Sequence, residues 1–212
     1  MLTSAESIFP LRGIAGTDIY LMKTYYLGID MQQKHRHGDA GRFLSSTRKL
    51  TEDPEKFMPG LLKKRDIAAE LGCGPGYYSK TIVQHVAKLY CVDKDGKALD
   101  IARKRVGPDK ALFLNENSSK TSIRPRSVDV VILANSFHDM DRKTAASEVK
   151  RILCERGRII VVDWKKKRMN HGPPLELRMD EVDYLSFFSG FVVNRRFRVG
   201  SLQYGIVLER AR

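Results

Sequence analysis

A doubly wound α/β fold, with a seven-stranded and mostly parallel sheet whose last strand is antiparallel, is the architecture this sequence predicts, on three observations. From Asp66 onward, short apolar runs rich in β-branched residues alternate with segments of helical period. Those runs lack polar alternation, as strands buried on both faces do. The first of them closes on a glycine-rich turn, Glu70-Leu71-Gly72-Cys73-Gly74-Pro75-Gly76, where a strand would hand over to a helix. A chain of 212 residues suffices for one well-buried domain of this kind.

The strands are placed at Ile67 to Leu71, Leu89 to Val92, Ala111 to Leu114, Val128 to Ala134 and Arg158 to Val162. Between them, Tyr77 to His85, Lys97 to Arg105 and Arg142 to Leu153 read as helices, the last with Ala145, Val149, Ile152 and Leu153 on one face. Arg156-Gly157 supplies a break before the next strand. After Asp163 a basic loop with Gly172-Pro173-Pro174 leads to a helix near Met179 to Ser189. Phe191 to Val199 and Gln203 to Leu208 complete the count as two strands, antiparallel because the Gly200-Ser201 turn between them is short. Residues 1–50 are mixed in polarity and broken by glycines; they are expected to form short helices capping the cofactor side of a domain spanning 51–212.

Composition narrows the function. Hydrophobic residues make up 42% of the chain, and no window approaches the ~20 unbroken apolar residues of a membrane span. The N-terminus lacks a basic n-region, so a cytoplasmic location is expected. Three cysteines, Cys73, Cys91 and Cys154, include no C-x-x-C pair, which points to reduced thiols and no zinc. A metal reading of His35-x-His37-x-Asp39 is set aside for a lid or surface loop. The net charge of +13 favours an anionic partner, such as RNA, an acidic protein face or a phosphate-bearing small molecule.

The glycine turn carries the chemistry. In an open parallel sheet, ligands sit at the carboxyl ends of the strands, and a turn without Cβ atoms lets backbone approach them. Gly76 stands two residues after Gly74, where a dinucleotide fingerprint needs three, and Tyr77 fills the missing glycine's place. That spacing favours S-adenosylmethionine over NAD. Glu70 is positioned to hold the ammonium of the methionine moiety. Asp93, ending the second strand with Lys94 beside it, can accept from both ribose hydroxyls. After the third strand, Asn117 can pair with the adenine amino group and the Ser118 backbone with a ring nitrogen; a plain turn-forming role for Asn117 is nearly as well supported. The candidate cofactor set is Glu70, Gly72, Cys73, Gly74, Pro75, Gly76, Asp93, Lys94, Glu116, Asn117, Ser118, Ala134 and Asn135, with no metal ligand.

The blocks Glu70 to Ser79, Tyr90 to Lys94, Ser127 to Asp139 and Arg158 to Lys166, in this order, resemble motifs of the Rossmann-like class I S-adenosylmethionine-dependent methyltransferases. More narrowly, Asp163-Trp164-Lys165-Lys166, Gly172 to Glu176 and Gly205 after Tyr204 resemble the small methyltransferases related to the ubiquinone and menaquinone biosynthesis type, methyltransferase type 11. The resemblance covers about Asp66 to Glu209 and implies a transferase that moves a methyl group from S-adenosylmethionine to a nucleophile. Many relatives carry Asp where Asn117 stands.

A sulfonium is already an activated donor, so displacement chiefly needs the nucleophile held in line. If the acceptor must lose a proton, His138 is the best-placed base, in the run Asn135 to Asp139 after the fourth strand; the competing reading is a histidine packing that loop. No Asn-Pro-Pro-Tyr-like or Asp-Pro-Pro-Tyr-like run follows that strand, where Asn135-Ser136-Phe137-His138 stands instead, so amino-group methylation of bases is not indicated and a small-molecule acceptor is the first expectation. The basic loop Lys165 to Arg168 favours an anionic one. The alternatives are an RNA- or protein-directed binding module on the same fold and an NAD-dependent oxidoreductase.

Overall fold

The computed structural model describes residues 46–170 and 172–211. Most of the expected N-terminal cap and the His35-x-His37-x-Asp39 run lie outside these residues. The described chain starts with helix α1 (Ser46–Thr51) and two 3-10 turns, Pro54–Lys56 and Met58–Leu61. Then follow β1 (Ile67–Leu71), α2 (Ser79–Ile82), β2 (Lys88–Asp93), α3 (Gly96–Val106), β3 (Ala111–Asn115) and β4 (Val128–Ala134). A 3-10 turn at Phe137–Asp139 leads to α4 (Arg142–Ile152), β5 (Leu153–Trp164), α5 (Glu181–Phe187), β6 (Phe191–Phe197) and β7 (Gln203–Arg210).

The seven strands form one sheet in the order β3-β2-β1-β4-β5-β7-β6. Strand β7 runs antiparallel to both β5 and β6, so six strands share one direction, as the sequence predicts. Strand order reverses between β1 and β4, which opens a crevice at their carboxyl ends. Alternate residues of β4 feed two cores. Val131 and Leu133 meet Val149 and Ile152 of α4 and Tyr184 of α5 on one face, while Val130 and Ile132 join Leu99 of α3, Tyr78 and Met58 on the other.

Two boundaries depart from expectation by more than two residues. The helix after the glycine turn shrinks to four residues, continuing as tight turns in which Gln84 N–H reaches Thr81 O and His85 N–H reaches Ile82 O. Consecutive β-branched Thr81, Ile82 and Val83, restricted at χ1, disfavour a longer α-helix. Strand β5 begins at Leu153, and Arg156-Gly157 lies inside it. Its register against β4 jumps from Val128↔Leu153 to Val130↔Arg158, so the expected break is a bulge within a longer strand.

Residues 48–62 form a strap held to the same body. Phe57 stacks near Tyr78 and Phe197, with ring centroids 6.2 and 5.4 Å away. Arg158 donates to Leu61 O and to the buried Asp66 carboxylate. The closest approach is at Gly200, where an added Cβ would lie 1.8 Å from the Thr51 carbonyl oxygen. Gly200→Ala is therefore expected to lower stability by about 1–3 kcal/mol, several degrees in thermal shift. Gly60→Ala, with nothing within 4 Å of the new Cβ, should leave the melting temperature within a degree or so of wild type.

Candidate cofactor and acceptor site

The glycine turn folds back over the end of β2. Gly72 N–H and Cys73 N–H both donate to Val92 O, at 2.8 and 3.0 Å. Gly72, Gly74 and Gly76 take φ of 73°, 51° and 79°, left-handed conformations that carry a steric penalty for side chains. A Cβ on Gly72 would also sit 2.7 Å from Ser136 Cβ in the loop after β4. Gly74 N–H donates to Asp93 Oδ2 at 2.7 Å, and Asp95 N–H to Asp93 Oδ1 at 2.9 Å. The turn and the carboxylate, 19 residues apart, are thus brought into contact.

Glu70 lies beneath this turn, 2% exposed. Burial pushes its carboxyl up to about 8; the Ser79 hydroxyl, which donates to Oε2 at 2.5 Å, and the Arg48 charge only partly oppose that. The pKa of the Cys73 thiol is raised by its hydrogen bond with Cys91 and by burial, and both cysteines are buried and free. Pro75 is buried, Lys94 exposed, and Ala134 buried at the end of β4. Glu116 is tied in by its own N–H to Asp93 O at 3.1 Å, while its carboxylate accepts from Ser122 N–H. Exposed Asn117 accepts from Ser119 N–H at 2.9 Å, the geometry of a turn-former. Ser118 is buried beside it.

Sequence reasoning missed Glu52. This carboxylate, 2% exposed, sits at the centre of the strap's contacts. Arg48 Nε and Nη2 reach its two oxygens at 3.1 Å, and the Tyr78 hydroxyl donates to Oε1. Asn135 Nδ2 donates to Oε1 at 2.5 Å and Gln203 Nε2 to Oε2 at 3.4 Å. The Tyr77 hydroxyl holds the Glu52 backbone carbonyl at 2.6 Å. Asn135, with φ of 52°, is one of two non-glycine residues in the left-handed region among the described residues. No motif in Thr51-Glu52-Asp53-Pro54 announces this role, because its partners come from as far as 151 residues along the chain.

His138 is buried. Its Nδ1 lies 3.0 Å from Asp163 Oδ1. A carboxylate only accepts, so Nδ1 carries the hydrogen and Nε2, 3.6 Å from Asp139 Oδ2, is the nitrogen left for a proton. Asp163 is fully buried and also accepts from the Tyr184 hydroxyl at 2.6 Å and Trp164 N–H at 2.8 Å. Burial alone would lower the His138 pKa, but the hydrogen bond and charge of Asp163 outweigh it and the net movement is upward. His138 is thus packed into its loop and fixed in one tautomer.

In the basic loop, Lys165 Nζ donates to Gly200 O and Ser201 O, and Lys166 Nζ pairs with Asp183 at 2.6 Å. The Lys166 charge is thus paired within the protein, whereas Lys165 keeps its charge while its hydrogens serve backbone carbonyls. Among the described residues, no cluster of His, Cys, Asp or Glu could hold a metal ion, and no helix is long and apolar enough to cross a membrane.

The strand order, with β7 inserted antiparallel and a glycine turn facing a carboxylate on β2, defines the class I methyltransferase architecture. A methyltransferase domain family matches residues 69–161. A crystal structure of a candidate type 11 methyltransferase from Sulfolobus solfataricus is 42% identical, covering 76% of this chain and 93% of that one, with a TM-score of 0.68. The chain belongs to the type 11 methyltransferases, whose cofactor is S-adenosylmethionine. An S-adenosylmethionine-dependent methyltransferase from Aquifex aeolicus shares the fold at 23% identity and a TM-score of 0.72, over 81% of this chain and 97% of that one. A yeast protein described as the probable S-adenosylmethionine-dependent methyltransferase CRG1 is 28% identical over 136 residues, 62% of this chain. The match spans 45% of that curated relative's length.

Proposed function

We propose that this chain transfers a methyl group from S-adenosylmethionine to a small-molecule nucleophile by in-line displacement. The observation that carries the cofactor side is the 2.7 Å contact between Gly74 N–H and Asp93, which sets a carboxylate at the rim of a turn open to close backbone approach. Bound there, the cofactor supplies a methyl group on a sulfonium. Asp93 accepts from the ribose hydroxyls, Glu70 faces the ammonium end, and the backbone around Asn117 and Ser118 borders the base. On the acceptor side, His138 takes a proton at Nε2 where the nucleophile must lose one, with Asp163 as the group that positions it.

Titration calorimetry with S-adenosylhomocysteine and NAD tests the cofactor reading: micromolar binding of the first and none of the second is expected, and the reverse would overturn it. Asp93→Ala should weaken S-adenosylhomocysteine about 10- to 100-fold, the loss of charge-assisted hydrogen bonds. The net charge of +13 keeps a macromolecular acceptor as the second reading. Incubation of cell extract with methyl-labelled cofactor, fractionated into small molecules, RNA and protein, separates the two. Label confined to RNA or protein would reject the small-molecule acceptor.

A further inference from the structure

The Glu52 cluster leaves two polar atoms unaccounted for. Asn135 Oδ1 and Gln203 Oε1 are buried and have no hydrogen-bond partner. Gln203 as a whole is only 2% exposed. A buried carbonyl oxygen without a donor costs about 1–3 kcal/mol, and here there are two of them. Their orientation is not free. Glu52 can only accept, so each amide must turn its NH2 toward the carboxylate and its carbonyl away. Turning either amide around would set a carbonyl against a carboxylate.

The place of the cluster separates cofactor from acceptor. Asp93 on β2 and the loop after β3 occupy the β1–β2–β3 half of the crevice, while Asn135 follows β4 and Gln203 opens β7 on the other half. Building on the methyltransferase reading above, we infer that Asn135 and Gln203, positioned by Glu52, read a hydrogen-bond-donating amino group on the methyl acceptor. An amino group brings two hydrogens to two carbonyl oxygens; a hydroxyl brings one, and a thiolate or carbanion none. With both hydrogens engaged, the nitrogen lone pair is left for displacement. The amine nitrogen forms the new C–N bond as the C–S bond breaks, the electron pair of that bond stays on sulfur, and the methylammonium product then gives up a proton to water.

The probes are aniline, phenol and toluene, which share a ring and carry two, one and no polar hydrogens. Each is titrated by ligand-observed NMR into the full chain, with and without saturating S-adenosylhomocysteine. Aniline is expected to bind at least tenfold tighter than toluene, with phenol between. Asn135→Leu and Gln203→Leu should each collapse the spread to within twofold, and Gln203→Leu should leave S-adenosylhomocysteine affinity within threefold. Glu52→Gln, whose own amide lets the neighbours turn around, should narrow the spread rather than weaken all three probes alike. Tyr77→Phe removes a strap bond without touching either amide and should preserve it. Equal binding of the three probes to wild type, or a spread that survives both leucine variants, overturns the assignment. So does a uniform loss in the Glu52 variant, or a collapse in Tyr77→Phe, since either marks the cluster as strap packing alone. A tenfold loss of S-adenosylhomocysteine in Gln203→Leu, with 5′-methylthioadenosine unaffected, would assign the oxygens to the cofactor's own ammonium and equally overturn it. Failure of S-adenosylhomocysteine to bind wild type would reject the methyltransferase reading, while the spread measured without it still decides the amides.

Discussion

At pH 9, Glu70→Gln is expected to melt well above wild type while losing most of its affinity for S-adenosylhomocysteine. The sign follows from linkage. An ordinary glutamate loses its proton near 4.5, whereas burial holds Glu70 up to about 8. Between those values the folded chain keeps a proton that the unfolded chain has released. The stability this proton represents is complete below the unfolded pKa and is lost as pH rises through the folded one. The full span corresponds to about 5 kcal/mol, an upper bound because a buried site relaxes around its charge. Glutamine keeps the shape and an oxygen for the Ser79 hydroxyl but does not titrate. The variant's advantage should therefore be near zero at pH 4.5 and grow toward roughly 10 °C at pH 9.

On the proposed reading, the carboxyl that is costly to the apoprotein serves the ligand. A cation arriving over Glu70 favours the ionised form, so binding below pH 8 releases a proton and tightens as pH rises. In wild type, calorimetric enthalpies measured in buffers of different ionisation heat should reveal that proton; in Glu70→Gln the buffer dependence should vanish, with affinity down about 10- to 100-fold. A variant that gains stability at high pH yet binds as tightly as wild type would separate Glu70 from the cofactor. It would then be a plain buried acid.

What could be read from sequence divides along the range of the interactions. Bounds of β1 and β4 came out residue for residue, because unbroken apolar runs between turn signals leave little freedom. The glycine turn and Asp93 were legible because both lie on adjacent strands whose pairing fixes their approach. The bulge at Arg156-Gly157 was not, since a glycine beside a helix end has the same local signature as a helix stop. Asn117 shows the limit of local chemistry, since its side chain serves its own turn in this structure. Glu52 and Gln203 were out of reach altogether. Each is an unremarkable polar residue in sequence, and only tertiary structure sets one against the other. His138 is marked by its place after β4, whereas its contact with Asp163 depends on β4 and β5 ending side by side.

That pairing makes Asp163→Asn the sharpest test of the acceptor side. Asparagine can still accept from Trp164 N–H and His138 with its oxygen, and the Tyr184 hydroxyl can rotate to accept from its NH2, so the fold should survive. What disappears is the charge. With it gone, burial dominates, and the His138 pKa should fall from above its ordinary value to below it, measurable from the imidazole resonances against pH. In wild type the stability from protonated His138 is fully present below pH 6.5 and is lost as pH rises through the higher folded pKa. The deficit of Asp163→Asn should accordingly be largest in acid and shrink above neutrality. Asp163→Ala, which strips three donors of their partner at once, is expected to cost about 3–5 kcal/mol or more at any pH. If His138 serves as the base, the acid limb of kcat moves to lower pH in Asp163→Asn by the displacement seen in the resonances, and the variant keeps its KM. A kcat profile that stays put while the imidazole pKa falls would leave His138 and Asp163 as buried packing and place the whole burden of catalysis on holding the nucleophile in line.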